Sequence, residues 1–347
     1  VNEAKRLARD LFGLSGEIRA LDGERDLNFR VEGPSPVVFK IAHQDESAEM
    51  LECQALVFRQ LNGQKDVRAP GVMVSRYGNS LEQVMSGSGE KHWCRAVEFI
   101  PGTLYSAVSH PTTALHRDLG AYLGKMDRCL EGFSHPGLER PLLWRMEQAL
   151  EITERFKYLI DDPHKTALIE VFQRRFSDRV LPGADALPKG VIHNDANDNN
   201  ILVEQNGPWR QTVKSVIDFG DMVCSWRVVE PAVAAAYAVL DKQHPLDVAC
   251  DITSGYYQQN PLDESELFVL FDIMAMRLCL SVCIARYQQS LNPDNPYLSV
   301  SEQSAWRCLE NQLQYIDPDF ACYALRASCG LEPVPSASRT RNWLSAS

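Results

Sequence analysis

One stretch, Val191 to Asp221, limits the possible folds more than any other part of the chain. It reads V-I-H-N-D-A-N-D-N-N-I-L-V, then a polar turn, then T-V-K-S-V-I-D-F-G-D. Two short apolar runs, Ile201 to Val203 and Val213 to Ile217, flank Gln205-Asn206-Gly207-Pro208. β-branched runs around a turn rich in Asn, Gly and Pro predict a hairpin. Its outer ends then lie side by side, one offering His193, Asp195 and Asn200, the other Asp218 and Asp221. Carboxylates and a carboxamide brought together in this way form a hard-cation site. Mg²⁺ takes oxygen ligands, usually one or two carboxylates plus substrate phosphates.

The spacing narrows the chemistry further. His193-x-Asp195, then four residues, then Asn200 fits H-x-D-x-x-x-x-N, the catalytic loop of phosphoryl transfer. Asp218-Phe219-Gly220 fits the metal-binding D-F-G. In that chemistry Asp195 accepts the acceptor's hydroxyl proton, and Asn200 and Asp218 hold Mg²⁺ on the donor's phosphates. His193 braces the loop, since Asp195 is the base of the pattern.

The remaining chain supplies the parts such a site needs. Asn2 to Leu14 reads as an amphipathic helix, and Ile18 to Leu21 and Leu27 to Val31 as strands. The turn between them, Asp22 to Asp26, stands where a nucleotide loop would. It holds one glycine, Gly23, whose backbone N–H could cover phosphates. In V-V-F-K-I-A, Val37 to Ala42, side chains alternate, so Lys40 shares a face with Val38 and Ala42. A lysine there is either a phosphate grip or an edge residue in solvent. Ser47 to Leu61 carries an apolar stripe at helical spacing. Glu52 borders that stripe and is better placed than Glu49 to orient Lys40. Val72 to Ser75 and Trp93 to Ile100 read as further strands. A hinge follows near Glu98 to Gly102, where main-chain groups such as those of Glu98 and Ile100 would meet a purine edge. From Thr112 onward helices are expected at Thr113 to Leu130, Leu142 to Leu159, Pro163 to Val180, Val228 to Leu240, Leu246 to Gln259, Glu264 to Gln289 and Ser299 to Tyr315. The segment from Pro333 reads as a loose tail or linker.

Composition excludes some partners. A net charge of −11 lacks the basic stripe that nucleic acid requires and suits a cationic substrate. Leu267 to Ile284 is apolar but contains Asp272 and Arg277, so it reads as a buried core helix and not a membrane span. Val1 to Gly16 has no apolar leader core. The 10 cysteines form no C-x-x-C pair, which fits reduced thiols in the cytoplasm.

The anchors Lys40, Glu52, the 193–200 loop and the 218–221 segment resemble the aminoglycoside phosphotransferase and choline kinase family, over roughly Leu14 to Leu331. The resemblance implies an α+β, two-lobed protein-kinase-like fold. A small antiparallel-sheet N-lobe spans 1–100, a mainly helical C-lobe spans 101–332, and 333–347 forms the tail. It implies ATP or GTP as donor, Mg²⁺, and a small amine-bearing molecule or amino acid as acceptor. The phrases H-N-D-A-N-D-N-N-I-L and I-D-F-G-D-M are most similar to the members that phosphorylate 5-hydroxylysine. Aminoglycosides, choline or ethanolamine, and homoserine are the alternative acceptors. The resemblance also allows the chain to be a module of a longer polypeptide bearing a class III aminotransferase. The family often has Asp opening the next helix; here Glu230-Pro231 stands in that place, and its acid would hold the loop. The residues just past the metal site are the candidate acceptor contacts. Asp221 or Glu230 would pair with an ammonium, Arg227 would grip a carboxylate, and Trp226 would offer an aromatic face to a quaternary amine. Alternatively, Arg227 and Glu230 pair with each other across one helical turn. An inactive nucleotide-binding scaffold would have lost Lys40, Asp195 or Asp218, and all three are present.

Overall fold

A computed structural model of the chain describes all residues except 22, 24, 88, 208, 292–301 and 347. They fall into two compact units. The first comprises Val1–Gly102, Phe133–Arg140 and Ser215–Gly220, and the second Thr103–Gly132, Pro141–Lys214 and Asp221–Ser347.

The first unit is built on a five-stranded sheet. Helix α1 (Asn2–Phe12) precedes β1 (Ile18–Leu21), β2 (Leu27–Val31) and β3 (Val37–Ile41). Then come α2 (Ala48–Asn62), β4 (Glu82–Met85) and β5 (Lys91–Glu98). The strand order is β1-β2-β3-β5-β4, with antiparallel neighbours throughout. Alternation in β3 works as read. Val37 and Phe39 are buried with Phe29, Val31 and Ala96 beneath Ala4, Leu7, Ala8 and Phe12 of α1, and Phe12 meets Phe39 edge-on at 6.0 Å. Lys40 therefore points to the other face of the sheet. Helix α2 starts at an N-cap, where Ser47 Oγ accepts from Met50 N at 3.1 Å. The strand expected at Val72 to Ser75 is reduced to a single bridge, Val72 to Val97. β4 takes the rest of that β5 edge, and the intervening chain turns through Gly78 at φ 86°.

The second unit is mainly helical. Its elements are β6 (Thr103–Leu104), α3 (Thr113–Cys129), α4 (Ala149–Phe156), α5 (Pro163–Arg179), β7 (Lys189–Ile192), β8 (Ile201–Gln205), β9 (Gln211–Val216) and β10 (Val223–Trp226). Five more helices follow: α6 (Val229–Ala238), α7 (Pro245–Gln259), α8 (Glu264–Leu291), α9 (Glu302–Asn311) and α10 (Pro318–Ser328). A final helix, α11, spans Ala337–Ala346. The hairpin is present as β8 and β9 in a β6-β8-β9 sheet, and β7 pairs with β10; Pro208 of its turn lies outside the described residues.

Helices α3 and α7 cross so closely that a Cβ on Gly120 would overlap Ile252 O, and one on Gly255 would overlap Arg117 O. α8 is long and apolar enough to cross a membrane, yet 89% of its most apolar window is buried in the protein. Its Asp272 pairs with Arg175 at 3.1 Å and Arg179 at 2.8 Å. It is a core helix packed by α4, α5, α6, α9 and α10.

Three expected elements differ. The helix expected from Leu142 begins only at Ala149, because the Trp144 carbonyl is engaged by Asn194 and Arg277 and not by its own segment. The helix expected from Ser299 is α9, with residues 299–301 outside the described range. The expected loose tail contains α11, and the chain before it is fixed by Arg326 Nε donating to Glu332 O (2.9 Å) and Pro333 O (3.0 Å).

Candidate active site

In the second unit, β7 delivers the loop 193–200 and β8 takes the chain away. His193 and Asn194 are fully buried. Asn194 sits at φ 63°, a left-handed conformation that Asn tolerates better than most residues. Its side-chain amide donates to Asp221 O at 3.2 Å and Trp144 O at 3.5 Å, and its N–H donates to Glu230 Oε2 at 3.0 Å. His193 Nδ1 accepts from Asp195 N at 3.2 Å. That nitrogen is therefore unprotonated, and His193 braces the backbone.

These bonds present the Asp195 carboxylate, whose side chain is 21% exposed. Oδ2 accepts from Asn200 Nδ2 at 2.7 Å and Asn197 Nδ2 at 3.0 Å. Oδ1 pairs with Arg277 Nη2 at 3.1 Å. Asn200 Nδ2 also donates to Asp195 O at 3.0 Å. With its nitrogen so used, Asn200 has Oδ1 to offer a cation. A partly exposed carboxylate with both oxygens fixed is suited to orient a hydroxyl and take its proton.

The first unit holds the other parts. Asp218 lies at φ 62° with its side chain half exposed. Oδ1 is 3.9 Å from Lys40 Nζ and accepts from Gly220 N at 3.4 Å. Phe219 is buried edge-on against Phe58 of α2 at 5.0 Å, which anchors the segment. Gly23 is in a tight turn where a Cβ would overlap the Asn28 amide; its neighbours Asp22 and Glu24 lie outside the described residues. The Glu98 side chain turns to Arg68 at 2.6 Å, and its N–H is spent on Gly71 O at 2.7 Å. Ile100 is buried. Among the described residues its main chain makes no hydrogen bond.

Asn200 in the second unit and Asp218 in the first each carry an oxygen of the type a hard cation such as Mg²⁺ takes. Among the described residues no group of three or more His, Cys, Asp or Glu could hold a metal.

Several expected contacts are corrected. Glu52 is exposed, and Lys40 pairs with Asp218 instead. The polar residue that α2 buries toward the sheet is Gln54, 2% exposed. Its Oε1 accepts from Arg95 Nη1, and Arg95 is the cross-strand neighbour of Lys40. Arg95 also pairs with Asp26 at 3.5 Å. Trp226 is buried against Phe176, with ring centroids 6.4 Å apart, and offers no face to a ligand. Arg227 pairs with buried Glu266 and donates to Asn260 Oδ1 at 3.0 Å and Pro261 O at 3.1 Å. Its partners are Glu266, Asn260 and Pro261, so the alternative pairing with the Glu230 side chain is not made.

The β7–β10 register is the physical reason for the last two. Val223 lies opposite Ile192, beside the loop, and Trp226 lies opposite Lys189, so β10 carries the chain away from Asp195. Glu230 returns to the loop as its brace and not as an acceptor contact. Burial pushes its carboxyl up to about 7, against the pull of the Asn194 and His193 N–H groups. Asp221 remains partly buried, its carboxylate among the charges facing Arg277.

Sequence reasoning missed the neighbours of the candidate residues: Gln54 and Arg95 in the first unit, and Asn197, Trp144 and Arg277 in the second. Only two left a signal: Gln54 as a polar residue within an apolar stripe, and Arg277 as a charge in an apolar helix.

Comparison with known proteins bears on the family and the fold. A hydroxylysine kinase of Bos taurus is 27% identical over 335 residues, covering 89% of this chain and 88% of that protein. Among solved structures, a microcompartment-associated aminopropanol kinase superposes with a TM-score of 0.70 at 20% identity, over 96% of this chain and 99% of that one. An amicoumacin kinase in complex with AMP-PNP, Ca²⁺ and Ami gives 0.68 at 16%, over 91% and 96%. The model of the phosphotransferase enzyme family matches residues 17–255, which include Lys40, the 193–200 loop and Asp218. With those residues on an antiparallel-sheet unit and a helical one, the chain belongs to the phosphotransferase enzyme family and has the two-lobed, protein-kinase-like α+β fold of a small-molecule kinase.

Proposed function

We propose that this chain transfers the γ-phosphoryl group of ATP or GTP to the side-chain hydroxyl of a hydroxylated amino acid, 5-hydroxylysine first among them. The observation that carries the reading is the Asp195 carboxylate, fixed through both oxygens and still open to solvent. The choice of acceptor is supported by the 27% identity to hydroxylysine kinases along most of the chain.

Phosphoryl transfer is governed by positioning and charge. Asp195 orients the acceptor oxygen and takes its proton. Asn197, Asn200 and Arg277 hold the carboxylate, while His193 and Glu230 hold the backbone beneath it. Lys40, paired with Asp218 in this state, grips the donor's non-transferred phosphates. The Gly23 N–H would cover them, and the main chain near Ile100 would meet the purine. Asn200 and Asp218 would hold Mg²⁺, which when bound neutralises phosphate charge. Asp221 is the remaining acidic candidate for an acceptor ammonium. Ten free thiols support residence in the reducing cytoplasm.

A second reading is favoured by one specific observation. With Arg227 committed to Glu266, the candidate reader of an acceptor carboxylate is gone. An amino alcohol would then serve as well as an amino acid. Coupled ADP and GDP release over 5-hydroxylysine, its decarboxylated amine, homoserine, aminopropanol, choline and kanamycin separates the two. Highest kcat/KM on 5-hydroxylysine, with the decarboxylated amine at least tenfold worse, is the expected result. Equal use of the two points to the amino alcohol. Silence with every acceptor and both nucleotides overturns the kinase reading in favour of a nucleotide-binding scaffold.

A further inference from the structure

α8 is apolar and buried along most of its length, and Arg277 lies in its middle with no exposed surface. A buried ion pair seldom adds net stability, and hydrocarbon of similar volume usually serves a core as well or better. The charge therefore calls for an explanation other than stability.

Its surroundings supply one. The guanidinium lies 4.3 Å from the Trp144 ring centroid and 5.6 Å from that of Tyr237. Nε approaches Tyr237 Oη at 3.4 Å and Nη1 approaches Trp144 O at 3.5 Å. The shortest contact is Nη2 to Asp195 Oδ1, at 3.1 Å. Two rings and a carbonyl thus hold a planar fork whose remaining arm ends on the proposed base. The opposite oxygen of that carboxylate is held by two asparagine amides of the loop itself. The same Trp144 carbonyl also accepts from Asn194, tying the guanidinium's support to the loop. Arg277 lies beyond the 17–255 span that matches the family model.

We propose that Arg277 is a positioning residue. Clamped by Trp144 and Tyr237, it fixes the rotation of the Asp195 carboxylate so that the edge left open faces the acceptor hydroxyl. The inference rests on the phosphotransfer reading. It predicts a loss confined to turnover, because a misplacement of about 1 Å at a reacting group can cost roughly 10²-fold.

The test compares wild type, Arg277→Met, Arg277→Lys and Asp195→Asn, and adds Arg277→Met in the Asp195→Asn background. Arg277→Met should keep the wild-type melting temperature and nucleotide affinity by calorimetry. It should lower kcat at least tenfold with both KM values within threefold. Arg277→Lys should recover part of that kcat, since it restores the charge without the fork. In the Asp195→Asn background, Arg277→Met should cost less than twofold more. If the loss of kcat is accompanied by weaker nucleotide binding and a lower melting temperature, or adds in full to that of Asp195→Asn, Arg277 is structural and the inference fails. If Arg277→Met does not fold, Arg277→Gln replaces it under the same criteria. If wild type turns over no acceptor, the phosphotransfer reading has failed. Crystal structures of wild type and variant then decide the inference alone: a rotated Asp195 carboxylate upholds it and an unmoved one overturns it.

Discussion

Replacing Glu230 by Gln should change how stability depends on pH while leaving the catalytic loop in place. Glu230 is fully buried in the first turn of α6. Its Oε2 accepts from Asn194 N, and its Oε1 is a buried oxygen without a hydrogen-bond partner among the described residues. Burial raises its carboxyl from 4.5 to about 7. Buried Asp127, pushed up mainly by its own burial and further by the charge on Glu230, is the acid it repels.

A raised carboxyl favours the folded state fully below the unfolded value, and the advantage is lost as pH rises through the folded value. Between pH 4.5 and about 7 the unfolded chain releases this proton and the folded one retains it. Stability therefore falls with rising pH, at no more than about 1.4 kcal/mol per pH unit, to a ceiling of about 3 kcal/mol. Gln has no proton to lose and keeps an acceptor oxygen for Asn194. Urea unfolding of both proteins at pH 5, 6, 7 and 8 measures the difference. Glu230→Gln should gain on wild type by about 1–3 kcal/mol across that range. Asp127 has the same sign in both proteins and leaves a residual slope. Parallel profiles, within about 0.5 kcal/mol, would refute a Glu230 held protonated by burial.

Asp195→Asn should lower turnover by about 10² to 10⁴ and leave nucleotide binding unchanged by calorimetry; turnover within twofold of wild type removes Asp195 as the base. Asp218→Ala should abolish the Mg²⁺ dependence of nucleotide binding more than binding without metal, and an equal fall in both makes its role structural. Arg227→Ala leaves Glu266 buried and unpaired, so it should cost about 3–5 kcal/mol of stability with the acceptor KM unaltered. A raised KM at an unchanged melting temperature would return Arg227 to the acceptor. Gly120→Ala should unfold the second unit's α3–α7 crossing, seen as a melting temperature lowered by several degrees or as insoluble protein; a wild-type melt contradicts the closeness of that crossing.

What could be read from the sequence was what local chemistry determines. β8 and β9 lie where apolar runs rich in β-branched residues flank a turn, and the loop 193–200 carries its own spacing. The proposed base Asp195, His193 two residues before it and Asp218 are all local signals. β4 escaped notice because E-Q-V-M is half polar. β7 and β10 escaped because each is short and finds its partner only across the catalytic loop. The sequence favours Glu52 over Glu49 because Glu52 borders the apolar stripe and a carboxylate is the expected partner of a lysine; Gln54 gives no such signal. The helix turns Gln54 inward and Glu52 outward, and Arg95 from a strand about forty residues later in the chain meets Gln54. Arg227 reads as an acceptor contact because it lies just past the metal segment in sequence, but an antiparallel strand of four residues is enough to carry a side chain out of reach.

Charge around Asp195 connects the geometry to the kind of acceptor proposed. The groups facing Arg277 are the carboxylates of Asp195, Asp221 and Glu230 and the hydroxyl of Tyr237. Burial raises Glu230 to about 7, so at neutral pH it carries part of a charge beside the carboxylates of Asp195 and Asp221. The balance against one buried guanidinium is therefore at least one negative charge, beside a carboxylate that must stay ionised to serve as the proposed base. An acceptor bearing an ammonium neutralises that charge on binding. A neutral sugar alcohol does not, and a dicarboxylate opposes it. This argument needs no reader for an acceptor carboxylate, so it survives the loss of Arg227. It supports the proposed amine-bearing alcohol as acceptor and leaves the choice between amino acid and amino alcohol to contacts the ammonium does not make.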